Sequence, residues 1–220
     1  AVKTMSFEGT LIVGGGYAGL HAATALDRAG VPTSLVDADS AHGFITRLAA
    51  VAAGTAPEGD AFAPFRELGF SVVQGRVQRV DDGRVTLEDG TAIEASSVII
   101  AAGSVAARPP VPGIEHAVSL RTTADALTLR RKLASTREVV VVGGGATGVQ
   151  LAGEIALGHP GTNVRIVEEA PRLLGSYGRG VGMDAWRTLA RRGVRIHLRQ
   201  RVERIDADGL ELESGRRLDG

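Results

Sequence analysis

Leu11-Ile12-Val13-Gly14-Gly15-Gly16-Tyr17-Ala18-Gly19, near the start of the chain, recurs downstream as Val140-Val141-Val142-Gly143-Gly144-Gly145-Ala146-Thr147-Gly148. Each copy is a β-branched run, then G-x-G-x-x-G, then an alanine-rich stretch typical of a helix. A single copy is weak evidence because glycine is common, but two copies in the same strand–turn–helix context predict two dinucleotide-binding units. The alternative, glycine turns in a plain α/β sheet, would have to arise twice in one chain.

The spacing of the glycines has a geometric reason. In the first copy Gly14 permits the tight turn after the strand, Gly16 lets the backbone approach a pyrophosphate, and Gly19 lets the helix pack on the sheet. The helix N-terminus then offers unpaired N–H groups and partial positive charge to the phosphates. The pattern also needs an acid about 20 residues further on for the ribose hydroxyls. Asp37 and Glu168 stand at these positions.

Outward from the first copy, the sequence predicts a βαβ unit. Its elements are a strand over Thr10–Val13, a helix over Tyr17–Ala29 and a strand over Thr33–Val36. Residues 1–9 are expected to form a loose leader and residues 38–68 an irregular stretch. An antiparallel meander with Asp-Gly turns and then a separate buried strand are predicted at Val72–Val73, Val77–Val80, Val85–Leu87, Ala92–Ile93 and Val98–Ala101.

The second half repeats this scheme. Its helices and strands are predicted at Thr122–Leu133, Glu138–Val142, Ala146–Leu157, Asn163–Val167, Val181–Arg192, Val194–Leu198 and Val202–Ile205. The duplication extends past the glycines, since Val77-Gln78-Arg79-Val80-Asp81 matches Val202-Glu203-Arg204-Ile205-Asp206. No counterpart of Val98–Ala101 precedes the last residue, which predicts that the C-terminal part is missing. The alternative is a protein that ends there with an unpaired position in its sheet.

Together these segments predict the α/β class, with two Rossmann-like domains of which the first carries the meander. The proline-rich stretch Arg108–Gly113 is typical of a stiff connection between domains. The expected domains are therefore residues 1–110 and residues 111–220.

Composition narrows the possible functions. The 220 residues include 25 acidic and 25 basic side chains, which argues against a nucleic-acid partner. No apolar run reaches the roughly 20 residues of a membrane span, and no signal-peptide layout begins the chain. The cytoplasm is the expected compartment, and peripheral contact with the inner face of a membrane stays open.

The chain has no cysteine, which excludes a redox disulfide, a thiolate nucleophile and an iron–sulfur cluster. Its five histidines lack the spacing of metal ligands, so no metal site is expected and each histidine is interpreted as structural or on the surface.

Glu168 also bears on the choice of nicotinamide cofactor. A carboxylate at this position accepts a hydrogen bond from a free 2′-hydroxyl and repels a 2′-phosphate, and Glu169 adds to the repulsion. NADH is therefore favoured over NADPH. Arg172 stands close enough in the sequence to leave NADPH open.

The order of these motifs resembles the two-dinucleotide-binding flavoproteins of the pyridine nucleotide–disulfide oxidoreductase superfamily. The resemblance runs from about Thr10 to the last residue and includes Val98-Ile99-Ile100-Ala101-Ala102-Gly103, which looks like the A-T-G motif of that family. Without cysteine, the chain looks more like the type II NADH:quinone oxidoreductases and the apoptosis-inducing-factor-like flavoproteins of that superfamily than its disulfide reductases.

The resemblance implies FAD at the first site and NAD(P)H at the second. The implied FAD-binding residues are Gly14, Gly15, Gly16, Tyr17, Ala18, Gly19, Asp37, Arg47, Val77, Ala102 and Gly103. The implied NADH-binding residues are Gly143, Gly145, Ala146, Thr147, Gly148, Gln150 and Glu168.

The chain departs from the family pattern at a few of these positions. Ala102 replaces the usual threonine, and Asp37 replaces the commoner, longer glutamate. Gln150 stands where the family has glutamate; it could still hydrogen-bond the carboxamide near the nicotinamide, but it could not relay a proton. Arg47 is the candidate neighbour of the isoalloxazine ring, with a place on a solvated helix face as the equal alternative.

By this resemblance, the expected function is that of a FAD-dependent NAD(P)H dehydrogenase. A hydride would pass from NADH to FAD and then electrons would pass to an acceptor, a quinone by resemblance, with oxygen or a small redox protein as other candidates. No acid–base pair is required for such chemistry, and no catalytic residue is assigned with certainty. A homodimer stays open. The alternatives are a non-catalytic regulatory module that binds nucleotide or flavin, and an apo fragment of such an enzyme.

Overall fold

The computed structural model describes residues 3–220, which form two compact units. The first unit takes the described residues up to Gly43 together with Phe62–Val105. The second takes Phe44–Ala61 together with Ala106–Gly220. Each unit is described separately below.

The first unit is built on a six-stranded sheet with the order β5-β2-β1-β8-β7-β6, and β3 and β4 pair with each other outside it. Helix α1 spans Tyr17–Arg28. The strands are β1 (Thr4–Val13), β2 (Thr33–Asp37), β3 (Ala41–Gly43), β4 (Phe62–Pro64), β5 (Val72–Gln74), β6 (Val77–Asp81), β7 (Arg84–Leu87) and β8 (Ala92–Ile100).

Strand β1 lies at the centre of this sheet and is covered on both faces. It pairs in parallel with β2 and with β8, while β7 pairs in the antiparallel direction with β6 and β8. Ile12 packs with Ala23 of α1 on one face, and Leu11 and Val13 pack with Val85 of the meander on the other. A run of consecutive apolar residues is what a parallel strand covered on both faces requires.

The second unit contains a parallel sheet with the order β11-β10-β9 and an antiparallel sheet with the order β12-β13-β14. Its helices are α2 (Leu48–Ala52), α3 (Thr123–Leu133), α4 (Ala146–Gly158) and α5 (Arg179–Arg191). Its strands are β9 (Glu138–Val142), β10 (Asn163–Glu168), β11 (Arg195–Leu198), β12 (Val202–Asp206), β13 (Gly209–Leu212) and β14 (Arg217–Asp219).

The parallel sheet of the second unit divides its core in the same way as the first. Val141 and Ile166 pack with Ile155 of α4 on one face, while Val140 and Val167 lie against the antiparallel sheet on the other. Both units thus place a helix on one face of the parallel strands and a meander on the opposite face.

Residues 44–61 leave the first unit after β3 and return to it at β4. Every residue of α2 is buried, and this helix packs in the second unit with Ala126 of α3 and Leu151 of α4. The Arg130 guanidinium donates hydrogen bonds to the carbonyl oxygens of Val51 and Ala56, at 3.1 and 2.9 Å. The compact units therefore divide the chain differently from the predicted domains of residues 1–110 and 111–220.

The duplicated meanders have the same strand register. Val77 lies opposite Leu87 in the first unit, and Val202 lies opposite Leu212 in the second. Both strand pairs are irregular just after this first pair of residues, and each meander then continues into a third antiparallel strand. The repeat detected in the sequence is therefore a repeat in backbone pairing as well.

The α/β class with two Rossmann-like sheets is confirmed, but three local predictions are wrong. Residues 4–9 are not a loose leader, because β1 begins at Thr4. Val72–Val73 lies in β5, which pairs in parallel with β2 rather than in the meander. Val98–Ala101 is not a separate buried strand, because Ala92–Ile100 is one continuous strand and Ile100 is 67% exposed.

The stretch expected to be irregular, residues 38–68, contains several short elements, including β3, α2 and β4. Across residues 3–220, no helix combines the length and the apolar character needed to cross a membrane.

Candidate nucleotide-binding sites

The first glycine motif forms the turn between β1 and α1. Gly14 has a φ of +103°, and a Cβ atom there would come 2.8 Å from the carbonyl carbon of Ala101. A Cβ atom at Gly19 would collide with the carbonyl oxygen of Gly14. These two glycines are therefore required by the fold itself, one by its backbone conformation and one by the close packing of α1 on the turn.

Gly16 differs from these two residues because nothing in the protein needs it to be glycine. It is the N-cap of α1, with φ −71° and ψ −172°, a conformation open to any residue. A Cβ atom there would meet no protein atom within 4 Å. The space beside it is thus open to a ligand at the start of the helix.

Asp37, at the end of β2, holds the backbone of the motif. Its Oδ2 accepts a hydrogen bond from the N–H of Gly15 at 2.6 Å, and its Oδ1 accepts one from the N–H of Asp39 at 2.8 Å. Hydrogen bonds of N–H groups to a charged carboxylate are stronger than neutral ones. The acid expected to bind ribose therefore also fixes the glycine turn.

Two further side chains support the first motif. The ring of Phe65 covers Gly15, because a Cβ atom at Gly15 would lie 2.5 Å from the Phe65 Cε1 and closer still to its Cζ. His42, only 2% exposed, places its Nδ1 2.9 Å from the carbonyl oxygen of Gly15. The ring of Tyr17 meets the His42 ring edge-on, with the ring centroids 4.7 Å apart.

The second glycine motif repeats this geometry between β9 and α4. Gly143 has a φ of +103°, and a Cβ atom at Gly148 would collide with the carbonyl oxygen of Gly143. Gly145 is the N-cap of α4 with φ −74° and ψ −177°, and a Cβ atom there would meet nothing within 4 Å. Gly145 and Gly148 thus match Gly16 and Gly19, while Gly143 shares the positive φ of Gly14 but not its close contact, since a Cβ atom at Gly143 would meet nothing within 4 Å.

Glu168, at the end of β10, takes the place of Asp37. Its Oε2 accepts a hydrogen bond from the N–H of Gly144 at 2.5 Å, and its Oε1 accepts one from the N–H of Ala170 at 2.6 Å. The side chain of Leu173 covers the buried Gly144, and the N–H of Leu174 donates to the Gly144 carbonyl oxygen at 2.8 Å.

Both motifs fit a dinucleotide pyrophosphate. Helices α1 and α4 begin without a side-chain cap and without an acidic residue in the first turn. The N–H groups of the first turn are therefore left for an anionic ligand, and the helix dipole favours negative charge there. Residues 16–18 and 145–147 are exposed, so this positive end of each helix is accessible.

Three other residues predicted to bind FAD lie in the first unit. The N–H of Ala101, just before Ala102, donates to the carbonyl oxygen of Val13 at 2.8 Å, which holds the end of β8 beside the glycine turn. Gly103 follows with a φ of +71°, and both Ala102 and Gly103 are exposed. Val77 begins β6 and is half-buried against the core of the meander.

Arg47 and Gln150, the candidate neighbours of the flavin and the nicotinamide, both lie in the second unit. Arg47 forms an ion pair with Asp60, and its side chain is 50% exposed. The Nε2 of Gln150 donates to the carbonyl oxygen of Thr46 at 3.1 Å. Gln150 also lines a cleft of about 470 Å³ between α4 and α5. The roles of both residues stay predictions.

The sequence did not identify His42 or Phe65 as parts of a site. Both stand in the stretch read as irregular, and a lone histidine carries no motif. The comparable contacts in the second unit come from Leu173 and from a backbone N–H, so no sequence similarity marks them. Within residues 3–220, no cluster of three or more potential metal ligands occurs.

Two loops of this geometry, each between a parallel strand and a helix, define a protein with two dinucleotide-binding folds. The chain belongs to the pyridine nucleotide-disulphide oxidoreductase family, whose model matches residues 9–220. The resemblance stated from the sequence is thereby confirmed.

The chain is similar to named proteins of more than one kind. The chain is 33% identical over 213 residues to human ferroptosis suppressor protein 1, and the match covers 89% of this chain and 53% of that protein. It is 30% identical over 247 residues to the type II NADH:quinone oxidoreductase NdhA of Mycobacterium tuberculosis, covering 92% and 52%. The chain thus spans about half the length of these relatives.

Solved structures agree on the fold. A ferredoxin reductase from Rhodopseudomonas palustris matches with a TM-score of 0.85 and 25% identity, over 96% of this chain and 56% of that one. NDH2 from Plasmodium falciparum in complex with NADH matches with a TM-score of 0.81 and 16% identity, over 96% and 53%. The second likeness concerns the fold alone.

Proposed function

We propose that the chain is the nucleotide-binding part of a FAD-dependent NADH oxidoreductase that passes electrons to a quinone. The observation that carries the proposal is the pair of matched loops. Each has a glycine at a helix N-terminus with open space beside it, and each has a carboxylate that accepts a hydrogen bond from the N–H of the preceding glycine. One chain with two such loops can hold an electron donor and an electron acceptor that are both dinucleotides.

In this proposal the first loop binds FAD. The N–H groups at the start of α1 receive the pyrophosphate beside Gly16, and the remaining lone pairs of the Asp37 carboxylate accept from the ribose hydroxyls. The second loop receives NADH in the same way through Gly145 and Glu168. Bound FAD supplies the capacity to take a hydride from a nicotinamide and to release electrons to an acceptor, so the protein's work is alignment and electrostatics.

The preference for NADH is a finer part of the proposal. Glu168 places a negative charge at the end of β10, where the ribose of a nucleotide on the second loop would lie. Arg172 is the nearby cation in the sequence, but its guanidinium donates to the carbonyl oxygens of Gly175 and Tyr177 at 2.6 and 2.7 Å. Those bonds turn the guanidinium toward the backbone of its own loop but leave its positive charge in place, so the proposed preference rests on the Glu168 carboxylate.

A quinone is the proposed acceptor because one relative is named as a type II NADH:quinone oxidoreductase. With no cysteine in the chain, a route through a redox disulfide within these residues is not available. Homodimer formation, a cytoplasmic location and peripheral membrane contact stay predictions from the sequence.

A second candidate function is nucleotide binding without turnover. It is favoured by Gln150, an amide where the family has a carboxylate, and by Ala102, which lacks the hydroxyl of the family's threonine. Both functions require the same two loops, so binding alone does not separate them.

Reconstitution with FAD followed by anaerobic addition of NADH distinguishes the alternatives. The expected result is about one flavin retained per chain after removal of free FAD, with visible absorbance that NADH bleaches. Retained flavin that NADH fails to bleach would show a binding module instead. A colourless protein after reconstitution would show that these residues alone do not hold FAD.

A further inference from the structure

In the first glycine loop, both backbone polar groups of Gly15 are hydrogen-bonded to side chains. The N–H of Gly15 donates to Asp37 at 2.6 Å, and the carbonyl oxygen of Gly15 lies 2.9 Å from the Nδ1 of His42. A carbonyl oxygen can only accept, so Nδ1 must carry the proton in this bond. Asp37 and His42 together therefore fix the orientation of the two peptide groups that meet at Gly15.

The second of these peptide groups also contains the N–H of Gly16. The chain has no cis peptide bond among the described residues, and in a planar trans peptide the C=O and N–H groups point in opposite directions. While His42 holds the Gly15 carbonyl, the N–H of Gly16 must point away from His42. Gly16 is exposed, and its Cβ position is clear of protein atoms to 4 Å.

The second loop also provides a donor for this carbonyl. The carbonyl oxygen of Gly144, which corresponds to Gly15, accepts from the backbone N–H of Leu174 at 2.8 Å. The first loop has a side chain in that place. His42 is 2% exposed, and Tyr17 contacts its ring edge-on, so the imidazole has little freedom to turn.

From these contacts we infer that His42 is a positioning residue of the first loop, which directs the Gly16 N–H toward the pyrophosphate of FAD. The FAD part of this inference rests on the proposed function. Its structural part, that His42 holds the Gly15 peptide, applies to the protein without nucleotide and can be measured separately.

The test compares His42→Leu with His42→Asn. Leucine fills the buried site without a donor, whereas the amide nitrogen of asparagine lies close to the position of Nδ1 and can donate to Gly15. In nucleotide-free protein, His42→Leu is expected to speed hydrogen exchange of the Gly15 amide relative to the Ile12 amide, and to leave the Gly144 amide unchanged. His42→Asn is expected to restore most of the protection.

The same variants are then titrated with FAD. His42→Leu is expected to weaken FAD binding by roughly three- to tenfold, the effect of one lost hydrogen bond, and to leave NADH binding at the second loop unchanged. Leu87→Ala is the matched control, because Leu87 is a buried core residue of the same unit, in β7. It should lower stability without weakening FAD binding or changing the ratio of Gly15 to Ile12 exchange.

Equal losses in His42→Leu and His42→Asn, or an unchanged ratio of Gly15 to Ile12 exchange in His42→Leu, would overturn the inference. Failure of the wild-type protein to bind FAD would contradict the proposed function instead. The exchange measurement would still decide the role of His42 in that case, since it needs no nucleotide.

Discussion

At the scale of single residues, each glycine motif combines two different requirements. Gly14 and Gly19 are needed by the protein, because a side chain at either would strain or collide with the turn. Gly16 is not needed by the protein, because a side chain there would meet open space, and in the proposed function it is the bound pyrophosphate that requires a glycine. The pattern G-x-G-x-x-G is thus partly a rule of folding and partly a rule of binding.

The acids at the strand ends have a similar double role. Glu168 accepts hydrogen bonds from two backbone N–H groups beside the second glycine motif, whereas the neighbouring Glu169 is 64% exposed and pairs with Arg201 at 3.1 Å. Only Glu168 is therefore expected to interact with the group at the ribose 2′-position of a nucleotide on the second loop.

Glu168→Gln is expected to reduce the preference for NADH over NADPH by about tenfold, because it removes a charge that accepts from a 2′-hydroxyl and repels a 2′-phosphate. The ratio of kcat/KM for the two cofactors measures this, with binding constants as the substitute if turnover is slow. Glu169→Gln is the control and should change the ratio much less. A ratio that Glu168→Gln leaves unchanged would show that this acid does not set the choice.

At the scale of elements, α3 shows how a helix on the surface of the second unit is started. The hydroxyl of Thr122 accepts from the N–H of Asp125 at 3.1 Å, and the Asp125 carboxylate accepts from the N–H of Thr122 at 2.8 Å. This capping box satisfies two backbone donors that the helix cannot satisfy itself. Further along α3, Arg130 donates to the carbonyl oxygen of Val51 within α2 and to that of Ala56 just after it.

Thr122→Ala is expected to lower the free energy of unfolding by about 1 kcal/mol, the usual effect of removing an N-cap acceptor. Urea unfolding followed by circular dichroism measures the change. Thr122→Ser keeps the hydroxyl and should stay close to the wild-type value. Equal losses in the two variants would mean that the methyl group of Thr122, and not its cap, stabilises the helix.

Elements with a local signal were predictable from the sequence. The glycine turns, helices α1 and α4, and strands β9 and β10 follow from β-branched runs, glycine stops and helical alanines. Strand β5 was assigned to the wrong partner because Val72 and Val73 look the same beside β2 as in a meander. Residues 44–61 could not be placed, since their burial depends on Ala126 and Leu151, far away in the sequence.

The same reasoning applies to the candidate sites. Asp37 and Glu168 were found because the motif fixes their distance from the glycines along the chain. His42 and Phe65 were missed because only the folded chain brings them to Gly15. Their counterparts in the second loop use different chemistry, so the internal repeat gave no signal either.

At the scale of the whole molecule, the chain is one scheme used twice. Each unit has parallel strands with a helix on one face and a meander on the other. Each loop has a glycine beside open space and a glycine N–H that donates a hydrogen bond to a carboxylate. The units differ around the loops, where His42 takes the place of the Leu174 backbone, and in their sheets, since the first has one six-stranded sheet and the second has two three-stranded sheets. The two equivalent loops are therefore expected to bind two different nucleotides.

FAD and NADH binding to Gly16→Ala and Gly145→Ala tests most directly whether each loop binds its own nucleotide. Both variants should fold normally, because alanine suits the backbone conformation at each position and meets no protein atom. The added methyl group would instead occupy space next to the pyrophosphate. Gly16→Ala is expected to weaken FAD binding at least about tenfold and spare NADH, and Gly145→Ala to do the reverse. Wild-type affinities in both variants, or loss of the same nucleotide from both, would contradict two separate sites.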